Sequence, residues 1–168
     1  TTEIYTLSLH DALPICPPFV SQARYTSADF FPMFDVPFLH GGAWSAKEDE
    51  AQARVVVFSR EMAERIFGAG NPVGKTVRLD QADFTVVGVL DEWQPTPRFY
   101  DMVLSRYGED DAVYVPLSTA LSLQMGRNGS MDCWGDTNGD NTGLNAPRTR
   151  PQYWVELDSR EKADAYLN

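Results

Sequence analysis

Between residues 52 and 91 the apolar positions change rhythm several times, and each change marks an element. Residues 53–58, with three consecutive valines ahead of Phe58, read as a strand. From 59 to 67 the apolar side chains recur four apart, Met62 with Ile66 and Ala63 with Phe67, which predicts a helix. Ser59 stands where an N-cap hydroxyl belongs. Gly68 stops the helix, and Asn71-Pro72 forbids its restart. Val77 and Leu79 then alternate with Arg78 in a strand rhythm, and residues 80–83 form a hairpin-length link to the next strand, 84–90. There Phe84, Val86, Gly88 and Leu90 are expected on one face, and Thr85, Val87 and Val89 on the other.

The rest of the chain extends this core. A strand is predicted at about 20–25, a helix over 27–34, a strand or extended segment at 36–40 and a charged turn over 45–53. Trp93-Gln-Pro-Thr-Pro97 is a loop, because two prolines prevent regular structure. A strand at 113–115 and a helix over about 117–124 follow. Residues 126–151 are rich in Gly, Asn, Asp and Pro and form either an inserted functional loop or a disordered one. The end reads as a strand over 152–157 and a helix capped by Asp158 or Ser159, with Glu161 completing a capping box from Asp158. Strands linked by helices, with a hairpin among them, predict an α/β (α+β) fold: a split βαβ-type mixed sheet with flanking helices.

One motif would change this picture. Ala69, followed after four residues by Gly74-Lys75-Thr76, satisfies a relaxed form of the phosphate-cradling P-loop, which in its stricter form has glycine at the first position. Such a loop follows a buried strand and opens a helix, so that backbone amides and the helix dipole converge on the phosphates. Here a helix precedes the loop and a strand follows it. Lys75 is therefore expected to enter a strand, with no triphosphate to hold.

Four segments, in order, resemble the MacB-like periplasmic core domain, the extracytoplasmic part of FtsX-type ABC transporter permeases. They are the run from Tyr25 through Phe30, Phe31, Phe34 and Phe38 to Gly41; the strand and helix from Val55 to Phe67; Asn71-Pro-Val-Gly-Lys75 with Phe84-Thr-Val-Val-Gly-Val89; and Asp111-Ala-Val-Tyr-Val-Pro-Leu-Ser-Thr-Ala120. The resemblance covers about residues 23–120 and is weaker to 168. It implies a non-catalytic domain on the periplasmic side of a bacterial cell membrane. Such a domain couples ATP-driven motion of membrane helices to substrate efflux or partner regulation. The implied partners are a permease dimer mate, a separate ATP-binding subunit or domain, a periplasmic adaptor protein, and the membrane, through helices absent from this chain. The alternative is a soluble ligand- or peptide-binding module acting through its long loops; an enzyme with an unusual site ranks third.

The ends qualify the domain. Residues 1–15 resemble translated sequencing-adapter sequence, and 1–16 are set aside as an extraneous or disordered leader, leaving 17–168 as a partial, incomplete extracytoplasmic domain. No Lys or Arg precedes Arg24, so this is no secretory signal. The chain has no apolar run of spanning length. Its 168 residues, 43% hydrophobic, suffice for one core. Its net charge of −10 argues against nucleic acid and anionic lipid as partners. Cys16 and Cys133 make no disulfide framework, and Cys133 is expected to be unpaired or to pair outside this chain.

No residue set points to a cofactor, a metal or catalysis. Asp136-Thr-Asn-Gly-Asp140 alternates oxygen ligands, but Asn141 and Pro147 stand where a calcium loop needs Gly and Glu. His40 is the only histidine after the leader and lacks an evident nucleophile or orienting acid. Asp91, Glu92 and Glu109 read as turn residues at strand ends. Phe30 and Phe34 lie four apart as helix core. Trp93, Phe99, Tyr100 and Trp134 lie in loops, where large apolar groups mark partner contacts or are buried under the loop itself.

Overall fold

Four consecutive apolar residues, Val55 to Phe58, are all buried, and the rest of the fold is arranged around them. The computed structural model describes residues 2–4, 7–8, 19–101, 111–126 and 154–167. In chain order its strands are β1 (Thr2–Ile4), β2 (Leu7–Ser8), β3 (Ser21–Thr26), β4 (Phe38–Gly41), β5 (Val55–Phe58), β6 (Thr76–Leu79), β7 (Ala82–Leu90) and β8 (Val113–Pro116). The helices are α1 (Phe30–Met33), α2 (Ala46–Glu50), α3 (Arg60–Phe67), α4 (Leu117–Ser122) and α5 (Arg160–Leu167), with a 3₁₀ turn at Phe99–Asp101.

The central strands run β8-β5-β7-β6, with β5 parallel to β7 and the other neighbours antiparallel. With α3 linking β5 to β6 and a hairpin joining β6 to β7, this is the split βαβ arrangement expected from the rhythm. β3 extends the sheet in parallel beside β8, and β4 pairs with the last residues of β7. The N-terminal stretch set aside in the sequence reading also pairs: β1 lies on β3 and β2 on β6.

Both faces of the sheet are covered. On one face Val56, Phe58, Phe84, Val86, Val113 and Leu79 pack with Met62 and Ala63 of α3 and Ala120 of α4. On the other, Val55, Val57, Leu90 and Tyr114 pack with Phe30, Phe31, Trp44 and Tyr100. β5 serves both. Its four side chains remove enough apolar surface from water for roughly 1.5–3 kcal/mol each.

Strand β7 departs from the expected alternation. Phe84 and Val86 enter the first core as predicted, but Val89 joins them and Leu90 faces the second. The pairing with β5 runs Val56–Val86 and then Val57–Gly88, so Val87 is an extra residue. A bulge of this kind turns every later side chain over. The backbones touch there. Gly42 N–H donates to the Val87 carbonyl at 3.2 Å. A Cβ on Gly41, which has φ +64°, would lie 2.0 Å from the same oxygen, and one on Gly88 would lie 2.4 Å from the Gly42 oxygen.

Other boundaries shift for local reasons. Ser59 caps α3 by accepting from Met62 N–H at 3.2 Å, and Gly68 ends it at φ +75°. The hairpin needs only Asp80 and Gln81, since Leu79 pairs with Ala82. The helix expected over 27–34 is confined to α1. The expected charged turn at 45–53 contains α2, closed by a reciprocal capping box between Ser45 and Glu48. The strand expected over 152–157 is absent from Trp154–Leu157, the part of it that is described. Ser159 caps α5 by accepting from Lys162 N–H. Glu161 is thus one position short of a capping box, and Asp158 instead binds the Lys162 ammonium at 2.7 Å.

Candidate functional site

The sheet has one end that gathers polar chemistry. There β5 and β7 finish and the parallel pair β3 and β8 begins. A cleft of about 1280 Å³ opens at this end, bounded by Gln22, Ser59, Arg60, Leu90, Trp93 and Tyr114. Around it stand Glu61, Glu64, Asp91, Glu92 and Asp111 against Arg60 and Arg65, so its field is negative. Arg60 partly neutralises the rim, reaching Asp91 at 3.2 Å, Glu64 at 3.3 Å and Glu92 at 3.6 Å. These exposed pairs add little stability.

Deeper at the same end lies a cluster of ionised groups. Arg24 of β3 donates from Nε to Asp111 at 2.5 Å and from Nη2 to Asp101 at 2.7 Å. Arg98 Nη1 stands 3.9 Å from Asp111. Arg98, Asp101 and Asp111 are buried. Burial alone would lower the Arg24 pKa, but the charges and hydrogen bonds of Asp111 and Asp101 outweigh it and hold the guanidinium more firmly protonated than usual. Burial also pushes the Tyr114 phenol well above its ordinary value, and the negative charge of Asp111 adds to this. The cluster joins β3 and the approach to β8 to the segment containing Arg98 and Asp101.

That segment carries the aromatic candidates. Trp93 stacks on Tyr100 at 5.0 Å between ring centroids, with an interplanar angle of 15°. Both meet Phe30 edge-on. Phe34 contacts Phe99 at 5.4 Å and Trp154 at 5.7 Å, and Trp154 Nε1 donates to the Tyr100 carbonyl at 3.3 Å. The structure therefore brings three of the four predicted contact residues into one cluster. Phe99 remains 40% exposed and Trp93 half-buried, but Tyr100 is only 3% exposed. Its ring is enclosed by Phe30, Trp93 and the Arg24 guanidinium 4.8 Å from its centroid, so it supports from beneath the ledge that the more exposed Trp93 and Phe99 form. Trp134 lies outside the described residues.

The remaining candidates are dispersed. Lys75 precedes β6 with its ammonium 5.3 Å from the Phe67 ring, and its carbonyl accepts from Val86 N–H. A strand, β6, stands where a P-loop would open a helix. His40 sits in β4 opposite Val89, away from the cleft lining. Among the described residues no group of three His, Cys, Asp or Glu side chains is placed to hold a metal ion. Cys16, Cys133, Glu109 and residues 136–140 lie outside the described residues.

A family model described as the MacB-like periplasmic core domain matches residues 14–167. The chain belongs to this family. Its fold agrees with the crystal structure of the periplasmic region of MacB from Actinobacillus actinomycetemcomitans. That match has a TM-score of 0.53 and 21% identity, and covers 76% of this chain and 52% of the other. The extracellular domain of the noncanonical ABC-type transporter YknZ from Gram-positive bacteria matches at a TM-score of 0.50 with 14% identity, covering 77% of this chain and 66% of that one. Among curated proteins, the macrolide export ATP-binding/permease protein MacB of Chlorobaculum tepidum is 30% identical over 87 residues, 51% of this chain and 12% of that protein. The pyoverdine export ATP-binding/permease protein PvdT of Pseudomonas aeruginosa is 27% identical over 66 residues, 39% of this chain and 10% of that protein. The chain thus spans about an eighth of the length of the MacB relative.

Within this MacB-like core domain, sequence reading did not find the Arg24, Arg98, Asp101 and Asp111 cluster. Arg24 and Asp111 are 87 positions apart, and neither sits in a motif that would pair them. The available signal was weaker: charged residues bordering strands that otherwise read as apolar. No helix among the described residues is long and apolar enough to cross a membrane.

Proposed function

We propose that this MacB-like domain is a non-catalytic extracytoplasmic part of an ABC transporter permease. Its role is to couple ATP-driven motion of membrane helices to efflux or to regulation of a partner. The observation that carries this reading is the family match across residues 14–167, on a body whose sheet is packed on both faces. Such a body moves as a unit when its attachments move. The relatives named above are ATP-binding/permease proteins, which supports a separate ATP-binding domain or subunit as the motor. A dimer mate and a periplasmic adaptor are the partners for which the ledge of Trp93 and Phe99 is suited, since large, partly exposed aromatics make strong interface anchors.

The test is the full reading frame, expressed with its ATP-binding component in liposomes. Trp93→Ala with Phe99→Ala is expected to lower ATP-dependent transport at least about tenfold while leaving ATP hydrolysis within about twofold. Unchanged transport would remove the ledge from the coupling path. A complete frame without membrane helices or a neighbouring ATP-binding cassette gene would replace the permease reading. The cleft at the sheet end would then favour a soluble ligand- or peptide-binding module.

A further inference from the structure

The acidic rim of the sheet-end cleft holds its own cation loosely. Arg60 meets Asp91 at 3.2 Å, Glu64 at 3.3 Å and Glu92 at 3.6 Å. Charge-assisted bonds between a guanidinium and a carboxylate ordinarily close to about 2.7–2.9 Å. Arg24, deeper at the same end, reaches that range with Asp101. The side chains of Arg60 and its three partners are each at least 42% exposed, so their attraction is largely screened and displacing Arg60 costs little. Arg60 is also outnumbered. With Glu61, the rim sets four carboxylates against Arg60 and Arg65, and the Arg65 guanidinium lies 4.1 Å over the Phe19 ring. A second observation lies at the floor. Asp111 borders the cleft with its side chain fully buried. Its Oδ2 accepts from Arg24, but its Oδ1 accepts no hydrogen bond, and Arg98 Nη1 stays 3.9 Å away. A buried carboxylate oxygen without a donor leaves the loss of its water uncompensated. Rim and floor thus require the same chemistry, a positively charged N–H donor. Leu90 and Trp93 also border the cleft and offer apolar surface to the stem of a long basic side chain.

We propose that the cleft is a docking site for a basic segment of a partner protein. A lysine or arginine side chain of that segment takes the place of Arg60 among Glu64, Asp91 and Glu92, and a second donor satisfies Asp111 Oδ1. Arg60 is then a built-in competitor that occupies the rim until the partner arrives. Two features commit the occupant to polypeptide. The cleft, at about 1280 Å³, is larger than the roughly 300–1,000 Å³ of a small-molecule pocket. Its carboxylates come from α3, from the end of β7 and from the approach to β8, which suits several donors spaced along a chain. Charge complementarity of this kind steers the encounter and selects the partner more than it adds raw affinity. The inference rests on the cleft alone and is independent of the transport reading.

The probe is a capped, fluorescently labelled peptide, Gly-Lys-Leu-Lys-Gly, titrated against the full chain by anisotropy. Arg60→Gln is expected to tighten its binding about tenfold, because the competitor is gone, and Asp91→Asn with Glu92→Gln to weaken it about tenfold. Two controls make the same charge changes away from the cleft. Arg54→Gln, and separately Glu50→Gln with Asp80→Asn, are each expected to shift binding less than about twofold, since distant exposed charges are screened. Urea midpoints close to the parent's confirm that each variant is folded. Equal, weaker or unmeasurable binding to the Arg60→Gln chain would overturn the proposal. So would controls that shift binding as far as the cleft variants do, or a glutamine peptide, Gly-Gln-Leu-Gln-Gly, that binds as well as the lysine one. Lysine amide competing as tightly as the peptide would assign the cleft to a small cation and overturn the choice of occupant.

Discussion

Arg24 connects residues that the sequence keeps far apart, and its removal is the sharpest single-residue test of the structure. Arg24→Met leaves Asp111 and Asp101 buried with much of their compensating charge gone. It is expected to cost about 3–5 kcal/mol in urea unfolding. Replacing Arg60, whose partners are exposed, should cost well under 1 kcal/mol. Tyr114 supplies a pH test. Burial holds its phenol protonated above its ordinary value of 10.0. Between that pH and the folded-state pKa the native protein binds more protons than the unfolded chain. Its stabilising effect is therefore fully present below pH 10 and is lost as pH rises beyond it. Tyr114→Phe is expected to flatten that alkaline fall in denaturant titrations. None of this was legible in the sequence, because a buried charge cluster is defined by which strands meet.

At the scale of elements, α2 shows both a missed signal and its consequence. Ser45 and Glu48 have the spacing of a capping box, and the surrounding charges obscured it. The helix matters because Asp49 accepts from Ala28 N–H at 2.6 Å and from the buried indole of Trp44 at 3.0 Å. Ser118 Oγ donates to its carbonyl at 2.6 Å. Asp49→Ala should destabilise by roughly 1–3 kcal/mol, since it strips two donors of their acceptor. Ser45→Ala should cost about 1 kcal/mol. Comparing the two by thermal unfolding separates the helix cap from the tie beneath it. By contrast α3 was legible end to end, because Ser59 and Gly68 act within one turn of it. The Val87 bulge was not, because a strand's own alternation carries no record of the residue its neighbour skips.

For the whole molecule, the order strand, helix, hairpin was enough to give the split βαβ sheet, and the resemblance of four ordered segments over about residues 23–120 gave the family. Sequence did not reveal which face each aromatic would take or how the Trp93 to Asp101 segment would be fastened. The two cores share β5, so they are expected to unfold together. Near-ultraviolet circular dichroism, dominated by the aromatic core, and far-ultraviolet dichroism should give coincident urea transitions; separate midpoints would contradict the shared strand. The same strand has a mechanical consequence. A pull along β5 loads its ladder to β7 and its ladder to β8 at once, so the bonds are strained in shear and cannot unzip one after another. The centre of the domain is therefore stiff along that axis, and any yielding under tension begins at its rims.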